Sequence, residues 1–328
     1  MKISIIIPVY NSSLTLKECL EAIFNSNFKN FEVIVVSDNS SDNSVEIARQ
    51  YQCKVIELPQ NKGPAFARNS GAQEAKGDIL LFIDSDVIID KEALNSLADK
   101  FSDSDVNVIQ GIYSHEPKYK NITTQYQQSF YCYYSWHADL KYTSSLITNC
   151  FAIRRKIFID FKGFNTNIKG ATCEDEEFGY VLIDKGYKIL ILRKLNGEHR
   201  VNYNFRKLIK RNFAIYIDTM KSYLRNKTYV KKVEQINYWK VLMGIPILGL
   251  IILATAAIII SPNKVFLATF LVVNIIFLLL HSGFIKFVTL TKGFTKAFGV
   301  MMICYLDTFI MLMSIFYGCL SYFVKRRY

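Results

Sequence analysis

Residues 79–87 read ILLFIDSDV. The run Ile79 to Ile83 has the length and character of a parallel strand buried on both faces. It ends abruptly in Asp84-Ser85-Asp86, so two carboxylates stand where the strand leaves the sheet. In open α/β sheets the ligand crevice lies beyond the carboxyl ends of the strands. Hard cations such as Mg²⁺ and Mn²⁺ prefer oxygen ligands and often meet carboxylates together with substrate phosphates. Asp84 and Asp86 therefore read as a pair that holds a metal and a diphosphate. Taken alone, the same three residues also describe a polar strand end leading into a helix cap.

The stretch before them repeats one theme. Ile3 to Val9 is a β-branched run ended by Pro8 and Asn11, and Ser12 or Ser13 can cap a helix through about Phe24. A second strand, Glu32 to Val36, ends in the polar turn Ser37 to Asp42, which caps a helix from Ser44 to Gln50. A third strand, Lys54 to Leu58, leads through Asn61-Lys62-Gly63-Pro64 into a helix reaching about Ala75. Strand–helix alternation of this kind predicts an α/β layer fold with a mostly parallel, Rossmann-like sheet.

These residues resemble a known family. The segments SIIIPVYN, VSDNSSDNS, NKGPAFARNSGAQEAKGD and ILLFIDSDV, in this order, look like the nucleotide-sugar half of inverting family 2 glycosyltransferases, which have the GT-A fold. The resemblance implies roles. Pro8, Tyr10 and Asn11 would line the nucleotide pocket, and Asp38 would accept from the base, most simply the N3–H of uracil. Lys62 and Arg68 would meet the base or the diphosphate. Asp84 would contact ribose or metal, and Asp86 would bind the metal. Many family members carry two acids in the second turn. This chain has Ser37-Asp38, so the base contact rests on Asp38 alone.

Further along, LITNCFAIRRKIFIDFKGFNT resembles the acceptor-side strand of the family, with Thr148 and Asn149 placed to touch the donor sugar or the acceptor. Residues 173–187, CEDEEFGYVLIDKGY, open a helix with four acids, which suits the helix dipole. The same residues look like the family's acceptor-activating motif. There Asp175 would be the base that takes the acceptor hydroxyl proton, with Glu174 supporting it or touching the acceptor. His199, after a strand from Lys188 to Leu192, falls where many members close the metal site, and imidazole with carboxylate and diphosphate oxygens suits Mn²⁺. A plain surface histidine in a basic loop is the competing reading. A polyprenyl phosphate acceptor is already anionic and needs no base, so Asp175 favours a hydroxyl acceptor. The region FRKLIKRNFAIYI lacks the Q-x-x-R-W motif of processive synthases, which implies one sugar per encounter.

Composition divides the chain of 328 residues. Residues 1–200 form the expected catalytic domain, 201–240 a basic juxtamembrane segment, and 241–328 a membrane domain. Between Arg193 and Lys240 there are 13 Lys and Arg against 3 acids, which accounts for +10 of the net +12. A basic block beside an apolar tail fits anionic lipids better than nucleic acid. Residues 119–142 are rich in aromatics, which suits sugar stacking, a membrane interface or an ordinary helix packed on the sheet. Phe205 to Leu224 is amphipathic, suited to the membrane interface or to packing against the catalytic domain.

Apolar segments at 241–260, 265–281 and 298–323 read as spans. The basic block places the front domain on the cytoplasmic side of an inner membrane, in a multi-pass protein. Three full spans would put Lys325-Arg326-Arg327 outside, against the positive-inside rule, unless one segment is re-entrant. Asp307, inside the last segment, should face protein, water or a headgroup. The N-terminal run is too short for a signal peptide. Seven cysteines without a C-x-x-C pair point to reduced thiols.

The expected activity is transfer from a nucleotide sugar, with Mg²⁺ or Mn²⁺, to a hydroxyl of a polyprenyl-linked glycan. A polyprenyl-phosphate glycosyltransferase and an inactive nucleotide-binding membrane scaffold are the alternatives.

Overall fold

The computed structural model describes residues 1–114, 116–136, 141–143, 146–168, 172–225 and 236–325. Four strands, β1 (Ile3–Val9), β2 (Phe31–Ser37), β3 (Lys54–Glu57) and β4 (Ile79–Ile83), lie in the order β3-β2-β1-β4, all parallel. Helices α1 (Leu16–Phe24), α2 (Ser44–Ala48) and α3 (Pro64–Glu74) connect them. Alternate residues of a strand point to opposite faces. Accordingly Ile3, Ile5 and Ile7 join one core with Leu16, Leu20 and Ile23, whereas Ile6 joins a second core with Ala65, Ala67 and Phe82. Burial on both faces explains why β1 and β4 read as apolar runs.

One local expectation is corrected. Helix α1 begins at Leu16 and has no side-chain cap. The backbone N–H groups of Ser12 and Ser13 donate to Ser44 and Asp42 of the neighbouring turn, and the Ser12 hydroxyl accepts from Ser85 at 2.8 Å.

Beyond β4 come β5 (Val87–Ile89), α4 (Ala93–Phe101), β6 (Val108–Tyr113), α5 (Ile122–Trp136), β7 (Tyr142–Thr143), β8 (Cys150–Arg154), α6 (Arg155–Asp160), α7 (Glu174–Asp184) and β9 (Ile189–His199). The sheet continues β4-β8-β6-β9-β5, with β7 against β9. Here β8 runs antiparallel to both β4 and β6, and β5 and β7 antiparallel to β9; only β6 and β9 are parallel. The sheet is therefore mixed: β1 to β4, β6 and β9 run in one direction, and β5, β7 and β8 run against them. A run buried on both faces reads the same in either direction, so local sequence does not encode this reversal.

The remaining chain is helical: α8 (Phe205–Arg225), α9 (Ile236–Ile260), α10 (Lys264–Leu280), α11 (Ser282–Lys292) and α12 (Phe294–Lys325). Asn263 caps α10, its side-chain oxygen accepting from the backbone of Val265 and Phe266. A bend of 64° separates α10 from α11. Among the described residues, Phe294–Val324 is the one unbroken helix long and apolar enough to cross a membrane; the bent pair qualifies if counted as one span, and Gly244–Ile260 is apolar but shorter. The aromatic helix α5 packs on this tail, with Phe284 of α11 against Tyr126, Phe130 and Tyr133. Asp307 of α12 faces protein and accepts hydrogen bonds from Tyr126, Asn212 and Tyr216 at 2.7 Å each.

Candidate active site

At the carboxyl ends of β1 and β2, two turns meet. Asn11 (φ 50) and Asn39 (φ 59) are left-handed, a conformation asparagine tolerates better than most residues. The Asn11 side-chain oxygen accepts from the Ser41 backbone at 2.8 Å, which ties the turns together. Tyr10 projects from this edge, 55% exposed, beside the half-buried Pro8. Asp38 is buried, and its two oxygens accept from the backbone N–H groups of Lys62 (2.7 Å) and Gly63 (2.8 Å). Any contact of Asp38 with a base would add to these two bonds. The same bonds aim the amino end of α3 at the crevice and leave the exposed Lys62 ammonium over the Phe66 ring.

Arg68, on α3, does something no local pattern announced. It is buried, and its guanidinium donates to Asp84 at 2.8 Å and to Glu174 at 2.9 Å. One cation thus joins the end of β4 to the start of α7, across 106 residues of sequence. Burial alone would pull the Arg68 pKa down. The carboxylates of Asp84 and Glu174 more than offset that and hold the guanidinium above its ordinary value. Burial pushes the Asp84 carboxyl up, with Arg68 opposing and Asp86 adding repulsion. Burial, with Asp175 close by, likewise raises Glu174, to about 7. Glu174 also accepts from the Thr172 backbone, so it faces inward.

Asp86 is brought to His199 by strand pairing. The short β5 leaves the acidic turn and pairs with the end of β9, setting Val87 opposite His199. The Arg200 N–H donates to the Asp86 carbonyl at 2.7 Å, and His199 Nε2 lies 3.5 Å from Asp86 Oδ2. Burial would raise the Asp86 carboxyl, but the His199 imidazole outweighs it and holds the group below the usual carboxylate range. The other oxygen, Asp86 Oδ1, is buried without a hydrogen-bond partner. Leaving such an oxygen unpaired is costly, and a cation would satisfy it. Among the described residues no group of three or more His, Cys, Asp and Glu is gathered as a metal site. Asp86 and His199 thus offer two donors of the kind a divalent cation takes, short of a complete ligand set.

Asp175 is half-buried at the amino end of α7. Its Oδ2 accepts from the Thr148 backbone at 2.9 Å and from the Thr148 hydroxyl at 3.2 Å, and Oδ1 accepts from the Glu176 backbone at 2.8 Å. These bonds fix the carboxylate and leave lone pairs for a further donor. Asn149 is buried; its carbonyl accepts from the Asp84 N–H at 3.4 Å.

Sequence reading missed two residues beneath the site. Gln110 on β6 donates to the Ile147 carbonyl (2.8 Å) and to the Asn149 side chain (3.2 Å), and accepts from the Ile147 N–H (2.8 Å). A lone glutamine in an apolar strand was the available signal. Glu176 accepts from Tyr180 at 2.8 Å, and burial raises its carboxyl to about 7.

The sequence model of Glycosyl transferase family 2 matches residues 4–161. The poly(ribitol-phosphate) beta-glucosyltransferase of Bacillus spizizenii is 41% identical over 124 residues, 34% of this chain and 20% of that protein. Glycosyltransferase GlyG of Streptococcus pneumoniae is 34% identical over 116 residues, 34% of this chain and 38% of that protein. The chain thus spans well under half the length of these curated relatives. Glycosyltransferase AglE of Haloferax volcanii aligns over 74% of this chain and 80% of its own length, at 26% identity.

Two solved structures share the fold. The mannosyltransferase PcManGT of Pyrobaculum calidifontis, in complex with GDP-Man and Mn²⁺, has a TM-score of 0.60 at 14% identity, covering 99% of this chain and 88% of that one. S. aureus TarS 1-349 in complex with UDP-GlcNAc has a TM-score of 0.54 at 18% identity, covering 100% and 93%. Residues 4–161 thus match the sequence model of Glycosyl transferase family 2, and the chain as a whole shares the fold of these two structures.

Proposed function

We propose that this protein transfers a sugar from a nucleotide-sugar donor, a UDP-sugar by preference, to a hydroxyl of a membrane-associated, polyprenyl-linked glycan, with inversion. The observation that carries the reading is Arg68, which ties the acidic turn holding Asp84 and Asp86 to the helix start holding Glu174 and Asp175. A donor-side and an acceptor-side carboxylate are thereby set about one crevice.

Pro8, Tyr10 and Asn11 would line the nucleotide pocket. Asp38 shapes it by holding the 62–63 turn, and Lys62 is free to reach the diphosphate. Asp84 would face ribose or metal. Asp86 and His199 would hold Mg²⁺ or Mn²⁺, whose charge offsets that of the departing diphosphate. Thr148 orients Asp175, which takes the acceptor hydroxyl proton as that oxygen attacks the anomeric carbon opposite the leaving group. The bond to the diphosphate breaks in the same displacement, so the anomeric configuration inverts. Asn149 supports the Asp84 backbone beneath the sugar.

The tail supplies the address. Large apolar side chains are exposed along it, among them Leu253 (67%), Ile260 (84%), Leu279 (66%) and Phe316 (67%). A patch of this extent marks a membrane or partner surface. We place the catalytic domain on the cytoplasmic face of an inner membrane, with the α9–α10 hairpin inserted.

The test is nucleoside diphosphate release by detergent-solubilised protein given UDP-, GDP- and dTDP-sugars with Mn²⁺, with and without lipid extract. Lipid-dependent release yielding a lipid-linked oligosaccharide is the expected result. A polyprenyl-phosphate sugar as product would replace the hydroxyl acceptor by a phosphate. Donor binding without turnover would leave a scaffold.

A further inference from the structure

Helix α12 passes the length and apolarity test for a membrane span, yet the elements along its flank belong to the polar side of the molecule. Near its start, a Cβ at Gly299 would lie 2.9 Å from Ile122 of α5. At its centre, Asp307 is held by Tyr126 of α5 and by Asn212 and Tyr216 of α8. Toward its end, the Tyr317 ring lies 6.2 Å from Phe213 of α8, and a Cβ at Gly318 would lie 3.2 Å from the Ile217 carbonyl. The turns of α8 from Asn212 to Met220 therefore cover α12 from Asp307 to Gly318.

From Gly299 to Gly318, at about 1.5 Å per residue, the helix rises roughly 28 Å, close to the thickness of a bilayer core. Along that whole length one flank is covered by α5 and α8. Helix α8 carries Arg206, Lys207 and Lys210, all exposed, and Asp218, Lys221 and Arg225 beyond them. If α12 stood perpendicular to the membrane, these charges would be drawn into lipid beside it, which is expensive.

The opposite flank is different. Phe298, Met302, Phe309, Met313, Phe316 and Phe323 are 41–69% exposed. Their spacing places them on one stripe of the helix. Exposed Lys286 and Lys296 border its amino end.

We infer that α12 lies in the membrane plane, its apolar stripe in the acyl region of the leaflet that faces the catalytic domain. The fringe of lysines and arginines meets anionic headgroups. Only the α9–α10 hairpin, joined at Ser261–Asn263, crosses. This rests on the membrane address proposed above and goes beyond it: the helix that best satisfies a span test is not a span. The arrangement returns Lys325 to the side of the catalytic domain, which removes the conflict that three spans create with the positive-inside rule.

The test is depth-resolved fluorescence quenching in liposomes of phosphatidylglycerol and phosphatidylcholine. The full chain, with Trp136 and Trp239 replaced by Phe, receives one tryptophan at a time: Phe298→Trp, Phe309→Trp, Phe316→Trp or Phe323→Trp. Lipids brominated near the headgroup or near the chain terminus act as quenchers. An in-plane helix gives equal quenching at all four positions, stronger with the shallow label. Deep quenching that peaks at positions 309 and 316 and fades at 298 and 323 means a span and overturns the inference alone. Absence of quenching everywhere overturns the membrane address as well. Independently, an epitope after Tyr328 in sealed vesicles must share protease accessibility with the catalytic domain, while one inserted between Pro262 and Asn263 must not. The reverse for the Tyr328 epitope overturns the in-plane helix.

Discussion

Strand β1 is seven residues long and apolar but for Ser4, and β4 is an unbroken apolar run of five, whereas β5 is three residues long and β9 carries Arg193 and Lys194 in its middle. The first pair builds the donor edge from local sequence: an apolar run, then a polar turn at its carboxyl end. The second pair brings Asp86 to His199 by a long-range pairing, Val87 opposite His199, and neither strand makes sense without the other. The start of α7 is bound to the Asp84 end of β4 by one guanidinium, that of Arg68. The comparison teaches that each half supplies side chains, but the relative placement of Asp86, His199 and Asp175 depends on contacts between distant segments.

Breaking the Arg68 link between β4 and α7 should have the largest effect. Arg68→Met leaves Glu174 and Asp84 buried without their cation, and removing one partner of a buried pair costs about 3–5 kcal/mol. Denaturant unfolding monitored by circular dichroism reads that loss. Unchanged stability would mean that the two edges are held together by packing alone.

Disturbing the second half without touching a ligand should cost less. A Cβ at Gly197 would run into Val87 Cγ1, so Gly197→Ala should push β5 away from β9. Supporting residues of this kind typically change metal affinity about 10–100-fold, and Mn²⁺ titration in the presence of nucleoside diphosphate measures it. Retained affinity would show that Asp86 is fixed by its own turn.

The smallest effect is a change of pH dependence. The Glu176 carboxyl is raised from 4.5 to about 7 by burial, so the folded protein binds its proton more tightly than the unfolded chain. Its contribution to stability is complete below the unfolded value and is lost as pH rises through about 7. Relative to the parent chain, Glu176→Gln should therefore gain thermal stability at pH 8 compared with pH 5. Parallel melting profiles of the two proteins would place Glu176 in water.

The same division governs what could be read from sequence. Ile3 to Val9, Ile79 to Ile83 and the helix opening at Pro64 were legible because burial on both faces and a proline at the first helical turn leave local marks. Strand β5 was not, because three residues carry no periodicity, and β9 was read only to Leu192 because its middle is exposed and charged. Ser12 and Ser13 looked like caps, but the Ser12 hydroxyl faces Tyr10 and Ser85, and the backbone N–H groups of both serines bond the neighbouring turn. Asp84, Asp86, Asp175 and His199 were named from motifs. The ties that position them, Arg68 to Glu174 and Thr148 to Asp175, join residues 106 and 27 positions apart and have no local signature. In the tail, the apolar helices were legible as apolar runs, but the packing of α12 lies in the distant partners of Gly299, Asp307 and Gly318.

The most direct measurement pairs donor affinity with turnover in Asp175→Asn, a substitution that keeps shape and removes the base. Binding of the nucleotide sugar with Mn²⁺ should be unchanged by calorimetry, while nucleoside diphosphate release in the presence of acceptor lipid should fall about 10²–10⁴-fold. Release at the parent rate would contradict the account, because the acceptor would then need no base and Asp175 would serve only to cap its helix.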